Sequence, residues 1–336
     1  MGQPLTYTLT VREEDGFQRR SFPCTTTLYA DKSLWFSNDH SRLLESDGSE
    51  RPCQIDVRQN YKDGSVRMAE VTFAPFIEPY ATRHYTFEIG GQPAQTQVRN
   101  PISVEEKPDM VIVRQSVMAY TVKKSGFNIV DTVVFQEKSF QKPGSKGPVL
   151  ILKDGTKLVP DGPVSVITEA RGPWMGRLCI EGDYPGGYEF STRITFVSSK
   201  SWYLVEHRIL SGDRSRIRAI QMETHFDLSA EPLSSAFGTR VRHDGLPTSW
   251  VVFTDGTHTV DLAILNAWTG DGAVRCEIDS DGQFRAIMPY ADSLARYYVH
   301  VLHGPPDDIK NTPAAAMAAE LRCFAESHSK ANVTTS

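Results

Sequence analysis

Between residues 169 and 208 the chain gathers the side chains best suited to chemistry. Glu169, Arg171, Trp174 and Arg177 fall around one turn, and Arg193, Glu206, His207 and Arg208 follow on segments that read as neighbouring strands. Guanidinium groups grip carboxylates in a forked geometry, and a histidine takes up or releases a proton near neutral pH. Abstracting a proton next to an acidic group needs a cation and a base in one cleft, which makes Arg171 and His207 the catalytic candidates. Trp174, Arg171, Arg177, Arg193 and Arg208 are the candidate ligand-binding residues. Strand alternation splits this set. Glu206 and Arg208 share one face, and His207 takes the other with Tyr203, Val205 and Ile209. On that reading Glu206 and Arg208 make cross-strand charge pairs while His207 is an interior histidine. Trp174, just after a Gly-Pro turn, is either a stacking platform or a wedge between sheets.

Other constellations say less. Asp63-Gly64-Ser65-Val66-Arg67 is explained by a hairpin turn, with Arg67 and Glu70 as outward polar residues. Arg214, Arg216 and Arg218 alternate on one side of a strand start and read as a solvated face. The histidines at 207, 225, 243, 258, 300 and 303 form no pair with metal-ligand spacing, and no nucleophile elbow, P-loop or dinucleotide fingerprint occurs. No metal and no cofactor are therefore expected. The five cysteines (Cys24, Cys53, Cys179, Cys276, Cys323) are odd in number and far apart, which supports neither a disulfide framework nor a zinc site. They read as small buried residues.

The elements that must position these residues are strands. Asp-Gly pairs recur at Asp15, Asp47, Asp63, Asp154, Asp161, Asp244, Asp255, Asp271 and Asp281, separated by β-branched and aromatic runs. That punctuation predicts an all-β protein of hairpins and longer loops. Strands are expected over 5–12, 65–73, 85–89, 111–117, 128–135, 165–169, 176–181, 188–197, 202–210, 218–228, 249–254, 260–266 and 295–302. Residues 91–101, rich in Gln, Pro and Asn, read as a linker, and Lys138 to Gly147 as a mobile loop. The domains expected are 1–92, 102–308 and a tail, 309–336. In the tail, Thr312-Pro313 followed by an alanine-rich run predicts one C-terminal helix with Met317, Leu321 and Phe324 on one face. That stripe needs a surface, on this chain or another.

Composition bounds the partners. A length of 336 residues suits two domains, and 40% hydrophobic residues can fill sizeable cores. A net charge of -5 argues against nucleic acid held by overall charge. No run approaches the length of a membrane span, and Met1-Gly2-Gln3-Pro4 opens no signal peptide, so a cytoplasmic location is expected, or a secreted one if the N-terminus is truncated.

The stretch from Leu43 to Gly90 carries a recognisable skeleton. An apolar strand enters Asp47-Gly48, Pro52-Cys53-Gln54 opens the next, Asp63-Gly64-Ser65-Val66-Arg67 turns into a third, and Tyr85-Thr86-Phe87-Glu88-Ile89-Gly90 closes. This resembles the N-terminal barrel-like domain of the exo-acting rhamnogalacturonan lyase (YetA-like) family. Glu169-Ala170-Arg171-Gly172-Pro173, the segment from Tyr188 to Phe196 with Arg193, and Val205-Glu206-His207-Arg208-Ile209 before Gly212-Asp213 resemble its later motifs, in family order. The resemblance implies a small RIFT-type β-barrel followed by a large galactose-mutarotase-like antiparallel β-sandwich, and a polysaccharide or oligosaccharide of the pectin type as partner. The α/α toroid that follows in the family has no counterpart here. Three readings follow: the non-toroid, substrate-cleft portion of such a lyase, with little activity alone and either a toroid partner or self-association through the tail helix; a non-catalytic polysaccharide- or protein-binding module; and an autonomous β-eliminating lyase or mutarotase-like enzyme.

Overall fold

The computed structural model describes residues 5–20, 22–36, 40–135, 137–142, 144–228, 234–241, 247–265, 268–269, 272–278, 283–290, 295–303 and 322–327. Among them no helix reaches seven residues, and the strands lie in several antiparallel sheets, so the all-β class holds. The hairpins owe their register to one repeated turn. In three of them an Asp carboxylate accepts the backbone N–H two residues on, Asp47 from Ser49 at 2.9 Å, Asp63 from Ser65 at 3.1 Å and Asp154 from Thr156 at 2.9 Å. The glycine between them takes a φ of +82° (Gly48), +84° (Gly64) or +90° (Gly155) and donates its N–H to the carbonyl three residues back at 3.0 Å. This is a type I turn closed by a left-handed glycine, in which a Cβ would be strained. Hydrogen bonds from the Ser65 and Ser33 side chains hold the Asp63 carboxyl down at about 2.

The chain separates into two compact units, Met1–Arg99 with Glu320–Ser336, and Asn100–Ala319. In the first, one sheet runs Arg322–Ser327, Leu5–Arg12, Thr82–Ile89, Ser41–Leu44, Glu50–Arg51, and another runs Cys24–Tyr29, Val66–Phe73, Cys53–Asn60. Alternate residues of the Leu5–Arg12 strand, Tyr7, Leu9 and Val11, are buried and join Leu28, Trp35, Val71, Phe73 and Phe87 in one core. Residues 91–99 follow the last strand of the barrel-like half, and Gln95 and Thr96 donate backbone N–H groups to Glu50 Oε1 at 2.7 and 2.8 Å.

The expected C-terminal helix is corrected where the tail is described. Arg322–Ser327 is a strand, paired antiparallel with Leu5–Arg12 from Arg12↔Arg322 to Tyr7↔Ser327. Half-buried Cys323 and Ala325 pack on the first core, while Phe324 between them is 45% exposed with the Arg12 guanidinium 5.8 Å above its ring. A two-residue alternation and an open ladder outweigh helix propensity at this end. Met317 and Leu321 lie outside the described residues. With Phe324 in a strand, the helical stripe proposed for self-association does not form as expected.

The second unit holds the candidate residues. Its largest sheet has eight strands, in the order Ser165–Arg171, Met175–Tyr184, Tyr188–Val197, Trp202–Ile209, Ala295–His303, His258–Leu265, Pro247–Thr254, Ser234–Val241. A five-stranded sheet is built on Gly147–Leu152, Ile217–His225 and Gln283–Pro289, and another on Ile102–Glu106, Met110–Gln115 and Met118–Lys123. One continuous core joins them, including Val113, Tyr120, Phe127, Leu150, Leu178, Phe190, Phe196, Val205, Ile220, Leu262 and Phe284. Each such side chain contributes roughly 1.5–3 kcal/mol on burial, before entropy. The expected loop from Lys138 is anchored instead: Phe140 is 1% and Gln141 3% exposed, and Gln141 bridges to Phe226. Arg214 to Arg216 form a short 3-10 turn rather than an alternating strand start, and Arg216 pairs with Asp154 at 3.3 Å.

Candidate functional site

The eight-stranded sheet has one face on the core and one turned away from it. Its register lines up Cys179, Arg193, Glu206 and Arg296 across four strands on the outward face. Arg193 grips Glu169 with both arms of its guanidinium, Nε to Oε2 at 2.8 Å and Nη2 to Oε1 at 2.9 Å. Glu206 accepts from Arg296 Nε at 2.9 Å. The carboxylates of Glu169 and then Glu206 raise the Arg193 pKa above its ordinary value. The result is a ladder of alternating sign, Glu169, Arg193, Glu206, Arg296, whose charges are internally balanced. It presents forked donors and acceptors to hydroxyl groups, while an entering carboxylate meets arginines already neutralised.

Arg177 and Arg208 lie on the same outward face. Arg177 Nη2 stands 3.3 Å from Met175 Sδ. Arg208 is exposed opposite Ser191 and makes no ion pair among the described residues. Arg171 pairs with Glu106, which also accepts the Thr168 hydroxyl at 2.7 Å. Those hydrogen bonds, with Thr168 first, hold the Glu106 carboxyl below its usual range.

The remaining two sequence candidates sit elsewhere. Trp174 is 9% exposed, behind the positive-φ Gly172, and its carbonyl accepts from the Ser198 backbone at 2.8 Å. It is a packed indole, not an open stacking surface. His207 is fully buried on the core face, its Nδ1 2.7 Å from Thr192 Oγ1 and its Nε2 3.1 Å from the Tyr184 hydroxyl, with the Phe190 ring 5.3 Å away. Burial pushes its pKa down to about 3, so the ring is neutral and shielded from ligand. The sheet thus brings Arg177, Arg193 and Arg208 together and separates His207 and Trp174 from them.

A second constellation escaped the sequence reading. Within the hairpin between Pro247–Thr254 and His258–Leu265, Asp255 Oδ1 accepts the backbone N–H groups of Thr257 at 2.8 Å and His258 at 2.6 Å. Its Oδ2 lies 3.0 Å from His258 Nδ1, and Lys138 Nζ is 2.5 Å from His258 Nε2. A carboxylate only accepts and an ammonium only donates, which fixes a neutral imidazole that donates through Nδ1 and accepts through Nε2. The ring is 3% exposed and meets Phe140 edge-on at 5.1 Å. Lys138 itself is exposed. In this arrangement a proton can pass from the ammonium to the imidazole, leaving a neutral amine at the surface and an imidazolium stabilised by Asp255. The three residues lie 117 and 3 positions apart in sequence, with Lys138 in a stretch read as loop, so no spacing signal announced them.

Among the described residues no group of three or more His, Cys, Asp or Glu is placed to hold a metal ion, and no helix is long and apolar enough to cross a membrane.

No protein-family model matches the chain, and no curated protein matches it in sequence. Solved structures do match in fold. A glycosyl hydrolase family 38 protein from Enterococcus faecalis superposes with a TM-score of 0.59 at 10% identity, over 96% of this chain and 47% of that one. An α-mannosidase from Enterococcus faecalis V583 superposes with a TM-score of 0.56 at 9% identity, over 96% of this chain and 46% of that one. The chain spans about half the length of these structures. At such identity the likeness is one of fold: this chain has a β-rich architecture that recurs within carbohydrate-active proteins.

Proposed function

We propose that this chain is a saccharide-binding β module of a carbohydrate-active protein, with little turnover on its own. The observation that carries the proposal is the outward ladder Glu169, Arg193, Glu206, Arg296, whose balanced donors and acceptors suit sugar hydroxyls. Fold likeness to a family 38 glycosyl hydrolase supports it, and so does the shielding of His207, which removes the base first expected beside these arginines. Within that reading, the motif resemblance to the rhamnogalacturonan lyases makes a pectin-type glycan the substrate class, a RIFT-type barrel and mutarotase-like sandwich the domain types, and an α/α toroid the missing catalytic complement. Arg208 is the cation left to meet an acidic sugar.

Affinity electrophoresis through gels holding rhamnogalacturonan, polygalacturonate or mannan tests this. Retardation in the first gel, reduced by Glu206→Gln and Arg208→Ala, is expected, with no rise in ultraviolet absorbance from unsaturated uronates in the same mixtures. Unretarded migration in all three gels contradicts the proposal.

A second reading, an enzyme acting through its own amine, is favoured by Lys138, His258 and Asp255. It requires product formation by the purified chain that Lys138→Met abolishes while the melting temperature stays unchanged.

A further inference from the structure

At one end of the second unit two hairpin turns meet over a cavity of about 250 Å³. One is the turn at Ser116 and Val117 between the strands Met110–Gln115 and Met118–Lys123; the other spans Ser199 to Ser201 between Tyr188–Val197 and Trp202–Ile209. Gln115 joins them. Its Nε2 donates to the Lys200 carbonyl and to the Tyr120 hydroxyl oxygen, the latter at 3.1 Å. Because a carbonyl only accepts, the amide nitrogen must face Lys200, and the orientation of the group is fixed. The other amide atom, Oε1, then has no donor among the described residues, although Gln115 is only 2% exposed. A buried acceptor without a donor costs about 1–3 kcal/mol, so such an atom marks a place where an incoming O–H or N–H is strongly favoured.

The rest of the lining narrows the ligand. Met118 and Phe135 contribute apolar surface, the serines contribute hydroxyls that donate or accept, and no carboxylate lines the cavity. Apolar wall opposite hydroxyl groups matches a ring with a C–H face and a polar rim, and the absence of carboxylate disfavours a cation. The volume is below the roughly 300–1,000 Å³ of sites for drug-sized ligands and suits a ligand of about one ring. We infer that this cavity binds a single pyranose unit, one of whose hydroxyls donates to Gln115 Oε1. The inference rests on the carbohydrate reading above but concerns a different surface from the charged ladder.

Val117 gives a test that spares the interior, since it is 47% exposed at the rim. The full chain is titrated with rhamnose, galacturonate and mannose and followed by saturation-transfer NMR and calorimetry, beside Val117→Trp, Gln115→Met and Arg193→Ala. At least one sugar is expected to bind the unaltered chain. Val117→Trp should weaken that binding tenfold or more without moving the melting temperature, Gln115→Met should weaken it as well, and Arg193→Ala should leave it intact. No binding of any of the three sugars, unchanged binding by Val117→Trp, or loss only with Arg193→Ala overturns the cavity assignment. Polysaccharide retardation separates the two proposals: if it persists while no monosaccharide binds, the cavity fails and the saccharide-module reading stands. If monosaccharide binds and Val117→Trp removes it while no polymer is retarded, the ladder reading fails and the cavity stands.

Discussion

His207 illustrates how much of a residue's role follows from alternation and how much from partners. Its place among Tyr203, Val205 and Ile209 was legible in the sequence, because every second residue of a strand shares a face. Its chemistry was not, since Thr192 and Tyr184 come from other strands and only the register brings them to the ring. The same holds for Arg193, whose partner Glu169 lies two strands away in the sheet order and beside a bulge. Burial makes His207 a source of acid sensitivity. The unfolded residue titrates near 6.5 and the folded one near 3, so the folded pKa is depressed. Its stabilising contribution is complete above about 6.5 and falls as pH drops from there towards 3, by up to about 1.4 kcal/mol per unit. His207→Phe keeps an aromatic ring beside Phe190 but strands the Thr192 hydroxyl. It should lose about 1–3 kcal/mol at pH 7 and show a flatter stability profile between pH 6.5 and 5 than the unaltered chain. Urea denaturation at several pH values measures both, and parallel profiles would show that the ring titrates normally.

At the scale of elements, the Asp-Gly pairs were the strongest local signal, and the turns at Gly48, Gly64 and Gly155 repeat one geometry. The sequence could not tell which glycines also lie against something. A Cβ at Gly64 meets nothing within 4 Å, whereas at Gly172 it would stand 2.4 Å from the Ile102 carbonyl oxygen. Both have positive φ, +84° and +97°. Gly64→Ala should therefore cost only the left-handed strain, about 1 kcal/mol. Gly172→Ala should cost that plus the displacement of a backbone carbonyl, a further roughly 1–3 kcal/mol. The Ile102 N–H donates to the Pro173 carbonyl at 2.9 Å, so the damage would spread to the first strand of the second unit. Denaturation midpoints of the two variants should differ in that order; equal midpoints would mean that the contact at Gly172 yields without strain.

For the whole molecule the decisive feature is the return of the chain. The second unit is inserted between the strands of the first, and Arg322–Ser327 comes back after it to pair with Leu5–Arg12. Local sequence could not reveal this, because an edge strand of six residues has weak periodicity and its partner lies at the opposite end of the chain. The closing strand also covers chemistry. Cys24 is buried, and burial first, then its hydrogen bond with Cys323, raises its pKa well above the ordinary thiol value, leaving an unreactive thiol. Ending the chain after residue 319 removes the Arg322–Ser327 ladder and leaves Leu5–Arg12 as an open edge. An open edge offers a row of unpaired N–H and C=O groups to another chain. The truncated protein should accordingly show concentration-dependent sedimentation where the full chain does not, a lower unfolding midpoint, and faster alkylation at Cys24. If truncation leaves sedimentation, midpoint and Cys24 alkylation all unchanged, the returning strand contributes nothing to the first unit and its pairing is not the element that closes it.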